Sequence, residues 1–345
     1  MKRTKKITKF GPKMSLLLLV GFLCVSVISV FAQTPPPKSP LPPKPKVWKT
    51  SKKILNENPI PAEKSIAVDA NVNISLCVEA GNLKINGWQR DEIRAFVLHG
   101  SQVGFKVLQK GRQSGKPVWV MTVGFDPSKN TEAEADECLS GEEIQIDVPR
   151  NATVNVKSRE SETTMDSIRK VRVENVGGDI ILRNIAQGIE AKTYEGDVMV
   201  EKSGGAMALL STTGNIVAFD ASPSEIGDIF RAKTSSGSIT LKQIAHRQTE
   251  VGSNSGSISF TGEFAIGGQY NFGTSNGSIT LLIPPNSSSK ITASYGFGEF
   301  SSDIPLEKLV KSAQQKAQNL TGQIGKGDAS INLTTYSGAL RIRKQ

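Results

Sequence analysis

Chemistry needs side chains that can move protons, attack an electrophile or hold a metal, and this chain has few of them in any useful pattern. Its two histidines, His99 and His246, lie far apart, with no nucleophile-elbow sequence beside either. Phosphate-binding loops and dinucleotide fingerprints are absent, so no cofactor is expected. Asp179 and Asp197, with Glu195 next to the second, are the carboxylates at equivalent points of a repeat; on adjacent parallel coils they would lie ~5 Å apart. A polysaccharide-cleaving β-helix would use such a pair for acid–base work, and would want basic groups converging on it, which are missing here. The next equivalent positions are Asn215, Ser238 and Ser257, so the acids read as interchangeable turn residues. Gly177-Gly178-Asp179 resembles a fragment of a calcium-binding nonapeptide but does not recur in that form. Cys77 and Cys138 form a candidate disulfide, because an even pair of thiols in an oxidising compartment is read that way. Two thiols without a neighbouring histidine do not suggest a zinc site, and no metal is expected. The expectation is a protein that is not an enzyme.

The elements that carry these residues come from one recurring phrase: a glycine, a small polar residue, then two apolar residues two positions apart. It appears at Gly178, Gly196, Gly214, Gly237, Gly256 and Gly277, first at Gly81, weakly at Gly298 and last at Gly338. From Gly178 to Gly298 the spacings are 18, 18, 23, 19, 21 and 21 residues. A period near twenty built from strand-like phrases marks a solenoid. Before each glycine, positions −7, −5 and −3 form a second alternating series, as in Ile189/Ala191/Thr193 and Phe230/Ala232/Thr234, which gives a strand with one inward face. Stacking would align Ile180, Val198, Ile216, Ile239, Ile258 and Ile279 as an aliphatic ladder. Thr193, Ser211, Thr234, Ser253 and Thr274 would form an internal hydroxyl ladder, bonded to one another or to corner amides because an unpaired buried hydroxyl costs about 1–3 kcal/mol.

The fold class expected is therefore all-β, a parallel β-helix or β-solenoid of ~18–21-residue coils. The expected layout has a β-rich N-terminal cap over residues 63–160 and the repeat array over 161–345. Strands of the cap are expected at Glu92–Val97, Phe105–Leu108, Val118–Val123 and Glu143–Val148, as an antiparallel cover for an open coil end. Leu306, Leu309, Val310, Ala313, Ala317 and Leu320 recur at helical spacing, which predicts an amphipathic helix over about 305–320.

Residues 1–32 read as a secretory signal peptide, with six cations up to Lys13, an apolar run Leu16 to Val30 and a Val30-Phe31-Ala32 cleavage site. Residues 33–62 follow as a proline- and lysine-rich linker of extended character. No other stretch reaches the ~18 apolar residues of a membrane span. The formal charge of +10 contains those six cations, so the exported chain would carry about +4, and neither a basic helix nor an aromatic stacking set argues for nucleic acid. The expected location is the periplasm, the cell surface or the medium; oligomeric state is not legible.

Outward residues give the functional lead. Thr240, Ser259 and Thr280 follow the inward isoleucine, while Thr212, Ser235, Asn254 and Ser275 precede the corners. Together they are expected to make one fairly flat strip rich in hydroxyls and amides. Such a strip suits weak, repeated hydrogen bonds to an envelope glycan or protein, and equally serves plain solubility.

The signal-like N-terminus, the phrase Gly81-Asn-Leu-Lys-Ile-Asn-Gly-Trp88, the strand ending Ile146-Asp-Val-Pro149 and the Gly-(Asp/Asn/Ser)-Ile repeats resemble a bacterial exported family of adhesin-like β-strand-repeat proteins with a toast-rack arrangement of strands. The resemblance covers roughly residues 64–345. It implies a non-enzymatic binding or scaffolding module at the cell envelope and brings no catalytic residues. A polysaccharide-acting β-helical enzyme and a periplasmic structural or sensory protein are the alternatives. The cysteine pair, the proline-rich linker and the expected helix depart from the family pattern.

Overall fold

Alternation decides which way each side chain points. Val171 and Val173 are buried while Arg172 between them is exposed, and the same period of two runs through coil after coil. The computed structural model describes residues 62–132, 134–314 and 317–345, and these hold 26 strands and no helix. The expected signal peptide and nearly all of the expected linker lie outside the described residues.

The N-terminal strands are β1 (Ala62–Ala67), β2 (Asn73–Trp88), β3 (Glu92–Leu98), β4 (Gln102–Lys110), β5 (Pro117–Phe125) and β6 (Leu139–Pro149). Seven regular coils follow, each a pair of strands: β7 (Thr153–Glu160) and β8 (Thr163–Asp166), β9 (Lys170–Gly177) and β10 (Ile180–Arg183), β11 (Ile189–Glu195) and β12 (Val198–Gly204), β13 (Met207–Thr213) and β14 (Ile216–Ser222), β15 (Ile229–Ser236) and β16 (Ile239–Ile244), β17 (Gln248–Ser255) and β18 (Ile258–Thr261), β19 (Gln269–Asn276) and β20 (Ile279–Ile283). The chain closes with β21 (Ser289–Phe297), β22 (Phe300–Ser302), β23 (Glu307–Gln314), β24 (Ala317–Ile324), β25 (Ala329–Ser337) and β26 (Leu340–Lys344).

Strands before each corner glycine stack in parallel as a first wall, β7–β9–β11–β13–β15–β17–β19. Strands after it stack as a second wall, β8–β10–β12–β14–β16–β18–β20. The inner faces share one core, in which Phe260 of the second wall meets Phe272 of the first with ring centroids 5.5 Å apart. Ile180, Val198, Ile216, Ile239, Ile258 and Ile279 register on one another and are all buried, as the spacing predicts. Each such side chain contributes about 1.5–3 kcal/mol.

The walls join at a spine of stacked glycines. A Cβ on Gly237 would lie 2.0 Å from the Gly214 carbonyl oxygen, and φ there is +152°, so both space and backbone exclude a side chain. The hydroxyl ladder serves the same spine: Ser211, Thr234, Ser253 and Thr274 donate to the carbonyls of Gly196, Gly214, Gly237 and Gly256 at 2.9–3.0 Å. Their partners are corner carbonyls, not the amides or neighbouring hydroxyls that the sequence suggests.

Both ends depart from sequence order. β2 bends at Gly81, runs through both walls and lies between the β7/β8 coil and an outer coil formed by β5 and β6, all parallel. β4 and β3 then add antiparallel strands outside β5 and β6, and β1 adds to β3. Thus the expected strands are present, but β5 and β6 extend the parallel stack where an antiparallel cap was expected. At the other end β25 and β26 lie between β19/β20 and β21/β22.

The expected helix at 305–320 is not formed. Those residues make the hairpin of β23 and β24, which adds antiparallel to the open edge of β21. A helix would leave the backbone groups of that edge unpaired, whereas β24 pairs with them over Ser289–Tyr295. Of the six apolar residues at helical spacing only Leu320 is buried, and it follows the period of two with Gly322 and Ile324.

Candidate binding surface

The acidic corner pair shows how corner side chains are used. The backbone N–H of Asp197 donates to Asp179 Oδ1 at 2.8 Å, and that of Asn215 to Asp197 Oδ1 at 2.7 Å. Ser238 N–H donates in turn to Asn215 Oδ1 at 2.9 Å. Each corner side chain thus caps the amide of the next coil. His99 is exposed, 2.9 Å from Glu142, while His246 is buried in a different region, its Nε2 2.8 Å from the Gly205 carbonyl oxygen. Burial pushes the His246 imidazole below its usual range. Among the described residues no group of three or more His, Cys, Asp and Glu is placed to hold a metal ion. Cys77 and Cys138 are joined in a disulfide on the outside of β2, with Cα atoms 4.7 Å apart.

The seven outward residues expected to form one strip are divided between the walls. Thr240, Ser259 and Thr280 register on one another in β16, β18 and β20 of the second wall. Thr212, Ser235, Asn254 and Ser275 lie two positions before the corners, on the outside of β13, β15, β17 and β19 in the first wall. The glycine spine separates the two sets, because side chains that point outward before and after a bend diverge.

The first-wall set borders a shallow groove of about 630 Å³. Its floor is a column in which Lys233, Gly252, Gly273 and Thr334 follow one another in register. Neither glycine is forced by the backbone. A Cβ on Gly273 would meet nothing within 4 Å, and one on Gly252 nothing closer than 3.9 Å. Glycine inside a strand weakens it, and where conformation does not require it, it often marks close approach by another molecule. Asn254 and Ser275 wall one side. On the other, Asn332 donates to Asn271 at 2.8 Å, and Glu250 takes bonds from Lys233 at 2.5 Å and Arg231 at 2.8 Å. Lys233, then Arg231, holds the Glu250 carboxyl below the usual carboxylate range.

The polar stretch of the Asn254 column, from Thr212 to Ser275, lies between two aromatic residues. Tyr194 lies two positions before its corner, as does Tyr336 in β25, and both are about half exposed. Tyr336 meets exposed Phe297 edge-on at 5.5 Å. Gly252, Gly273 and Tyr194 were open to discovery at outward positions of the repeat. Tyr336 was not, because its place beside Ser275 depends on the insertion of β25 beside β19.

Two solved structures are similar to this chain. One is titled a "putative cell adhesion protein" of Clostridium sporogenes, 12% identical over 83% of this chain and 100% of that one, with a TM-score of 0.23. The other, a "putative lipid binding protein" of Parabacteroides distasonis, is 11% identical over 82% of this chain and 97% of that one, with a TM-score of 0.40. No curated protein matches. The profile of the family described as Toastrack DUF4097 matches residues 120–343, well over half of the sequence, and the chain belongs to that family.

Proposed function

We propose that this chain is an exported, non-enzymatic binding module of the cell envelope, adhesin-like in its mode of action, and that the first-wall groove is its contact surface. The observation that carries the reading is the glycine pair, which leaves a polar trough where neighbouring coils carry Lys233 and Leu210. Asn254, Ser275 and Thr334 around it supply donors and acceptors without strong net charge. That chemistry suits a neutral, hydroxyl-rich glycan or a polar protein surface, bound by many weak contacts whose sum gives avidity. The corner carboxylates favour a non-catalytic role, since they are already engaged in capping amides.

Filling the trough tests the reading. Gly252→Gln and Gly273→Gln have room for their side chains, so the double variant should keep its melting temperature. It should lose at least tenfold in retention on isolated envelope glycan or on cells. Unchanged retention would remove the groove from consideration. For location, a membrane-impermeant amine reagent applied to intact cells should label exposed Lys233 and Lys242 if the array is outside. Labelling that needs envelope disruption would sink the cell-surface adhesin version.

A further inference from the structure

Two coils are longer than their neighbours at the corner opposite the glycine spine. Between β14 and β15 the chain makes a loop over residues 223–228, and between β18 and β19 another over 262–268. These loops account for the long glycine spacing at each coil, and each carries an isoleucine followed by glycine just before its last residue. Ile226 is fully exposed and Ile266 is 76% exposed. Gly227 and Gly267 have φ of +98° and +72°, and a Cβ on either would meet nothing within 4 Å, although the Gly267 N–H donates to the Asp328 carbonyl at 3.0 Å.

Neither tip is loose. Asp228 Oδ2 accepts bonds from Ser224 N–H and Oγ and from Glu225 N–H at 2.8–3.1 Å, tying the first loop to itself. In the second, Phe264 packs against Phe260 and Tyr270, and the Ala265 N–H donates to the Tyr270 hydroxyl at 2.8 Å. The strands that carry the loops are two steps apart in the stack, about 10 Å. The coil between them turns its short corner there and places exposed Arg247 just before β17, in line with the two loops. Among the described residues Arg247 has no carboxylate within ion-pair distance, and the carboxylate of Asp228 is turned to its own loop.

We propose that this edge seats on a phospholipid surface, with Ile226 and Ile266 entering the apolar boundary and the Arg247 guanidinium meeting a headgroup phosphate. Two rigid aliphatic tips flanking an unpaired cation match the order of groups in such a surface, where apolar chains and phosphates lie within a few ångströms of each other. Arginine suits the central place because its planar fork binds phosphate oxygens in pairs. Glu225 and Glu263, on the same loops, oppose a strongly anionic membrane and favour a surface rich in zwitterionic lipid. The proposal is independent of the groove, which lies on the outer face of the first wall.

The readout must come from the loops themselves, since the apolar run Leu16 to Val30 would enter lipid wherever it is retained. Ile226→Trp and Ile266→Trp, each compared with the parent chain, should show blue-shifted emission and quenching by brominated phosphatidylcholine in vesicles containing a small share of phosphatidylglycerol. Ile226→Asp placed in the Ile266→Trp chain should reduce that quenching severalfold, as should Arg247→Gln in either tryptophan chain, with melting temperatures unchanged. Indoles that stay unquenched, as they would if the tips served a protein pocket, overturn the proposal. So do aspartate and glutamine variants that leave the quenching of the remaining indole unchanged.

Discussion

The two ends of the stack are closed by the same device run in opposite senses along the chain. At one end β2, the first coil in sequence, is second in space, clamped between β5/β6 and β7/β8. At the other, β25/β26, the last coil in sequence, is clamped between β19/β20 and β21/β22. An open strand edge leaves backbone groups unpaired, and a clamped coil has both its backbone edges satisfied. The ends differ in reinforcement. β2 is linked by the Cys77–Cys138 disulfide to the residue before β6, and nearby Asp147 is buried against Arg94, whose guanidinium also lies over Trp88. The far end has neither. Its charge pair, Arg343 with Asp303, is exposed, and β22 pairs with β26 over only Phe300–Ser302. Among the described residues the same topology is thus held covalently at one end and by non-covalent contacts at the other.

Five changes, four at the ends and one between them, would break or sharpen that contrast. Replacing Cys77 and Cys138 with serine should give the largest effect, about 4 kcal/mol for a loop closed over 61 residues. Chemical denaturation would measure it, and hydrogen exchange should rise in β2, β5 and β6 while β25 and β26 stay protected. Gly338→Ala attacks the other clamp. Its Cβ would lie 2.0 Å from the Gly277 carbonyl oxygen at φ +148°, and a loss of about 3 kcal/mol is expected. Here exchange should rise in β25, β26 and β21 and leave the disulfide-bonded end unchanged; uniform loss across the stack would show that the two ends do not behave separately.

Smaller effects come from the charge pairs. Arg94→Ala leaves Asp147 buried without its guanidinium partner and should cost about 2 kcal/mol. Arg343→Ala removes an exposed pair and should cost less than about 1 kcal/mol. Equal costs in urea melts would contradict the difference in burial. The smallest expected effect belongs to the middle of the stack. His246 has a lowered folded-state pKa because burial disfavours its charged form. Below the unfolded value of about 6.5 the unfolded chain therefore binds more protons. Its contribution is fully present above that pH and is lost as pH falls below it. Thermal melts from pH 8 to pH 5 should show the decline, and His246→Gln should flatten it.

Much of the regular array was legible. The repeat of Gly178 to Gly277 specified inward and outward faces residue by residue, because a glycine corner and a period of two leave little choice. The outward lead was half legible: Ser235 and Asn254 do border a groove, but Thr240 and Ser259 share a different wall, since spacing alone does not reveal the angle of a bend. The stretch around Leu309 misled for a plain reason. A short apolar series fits a helical period and a strand period about equally, and the open edge of β21 settles the matter in favour of a strand. Ile226 and Ile266 were hidden in plain view as irregular glycine spacings, which sequence reading treats as tolerance and the structure turns into projecting loops.

What the sequence by itself determined was the local and periodic part of the regular array: its strands, the glycine spine, and the aliphatic and hydroxyl ladders. These follow from φ/ψ limits, side-chain alternation and composition, which act within a coil or between coils that are neighbours in the chain. Only the tertiary structure decided which coils are neighbours at the ends. The placement of β2 inside β5/β6 and of β25 beside β19 satisfies open backbone edges with strands distant in sequence, and those backbone groups are the same in every residue but proline.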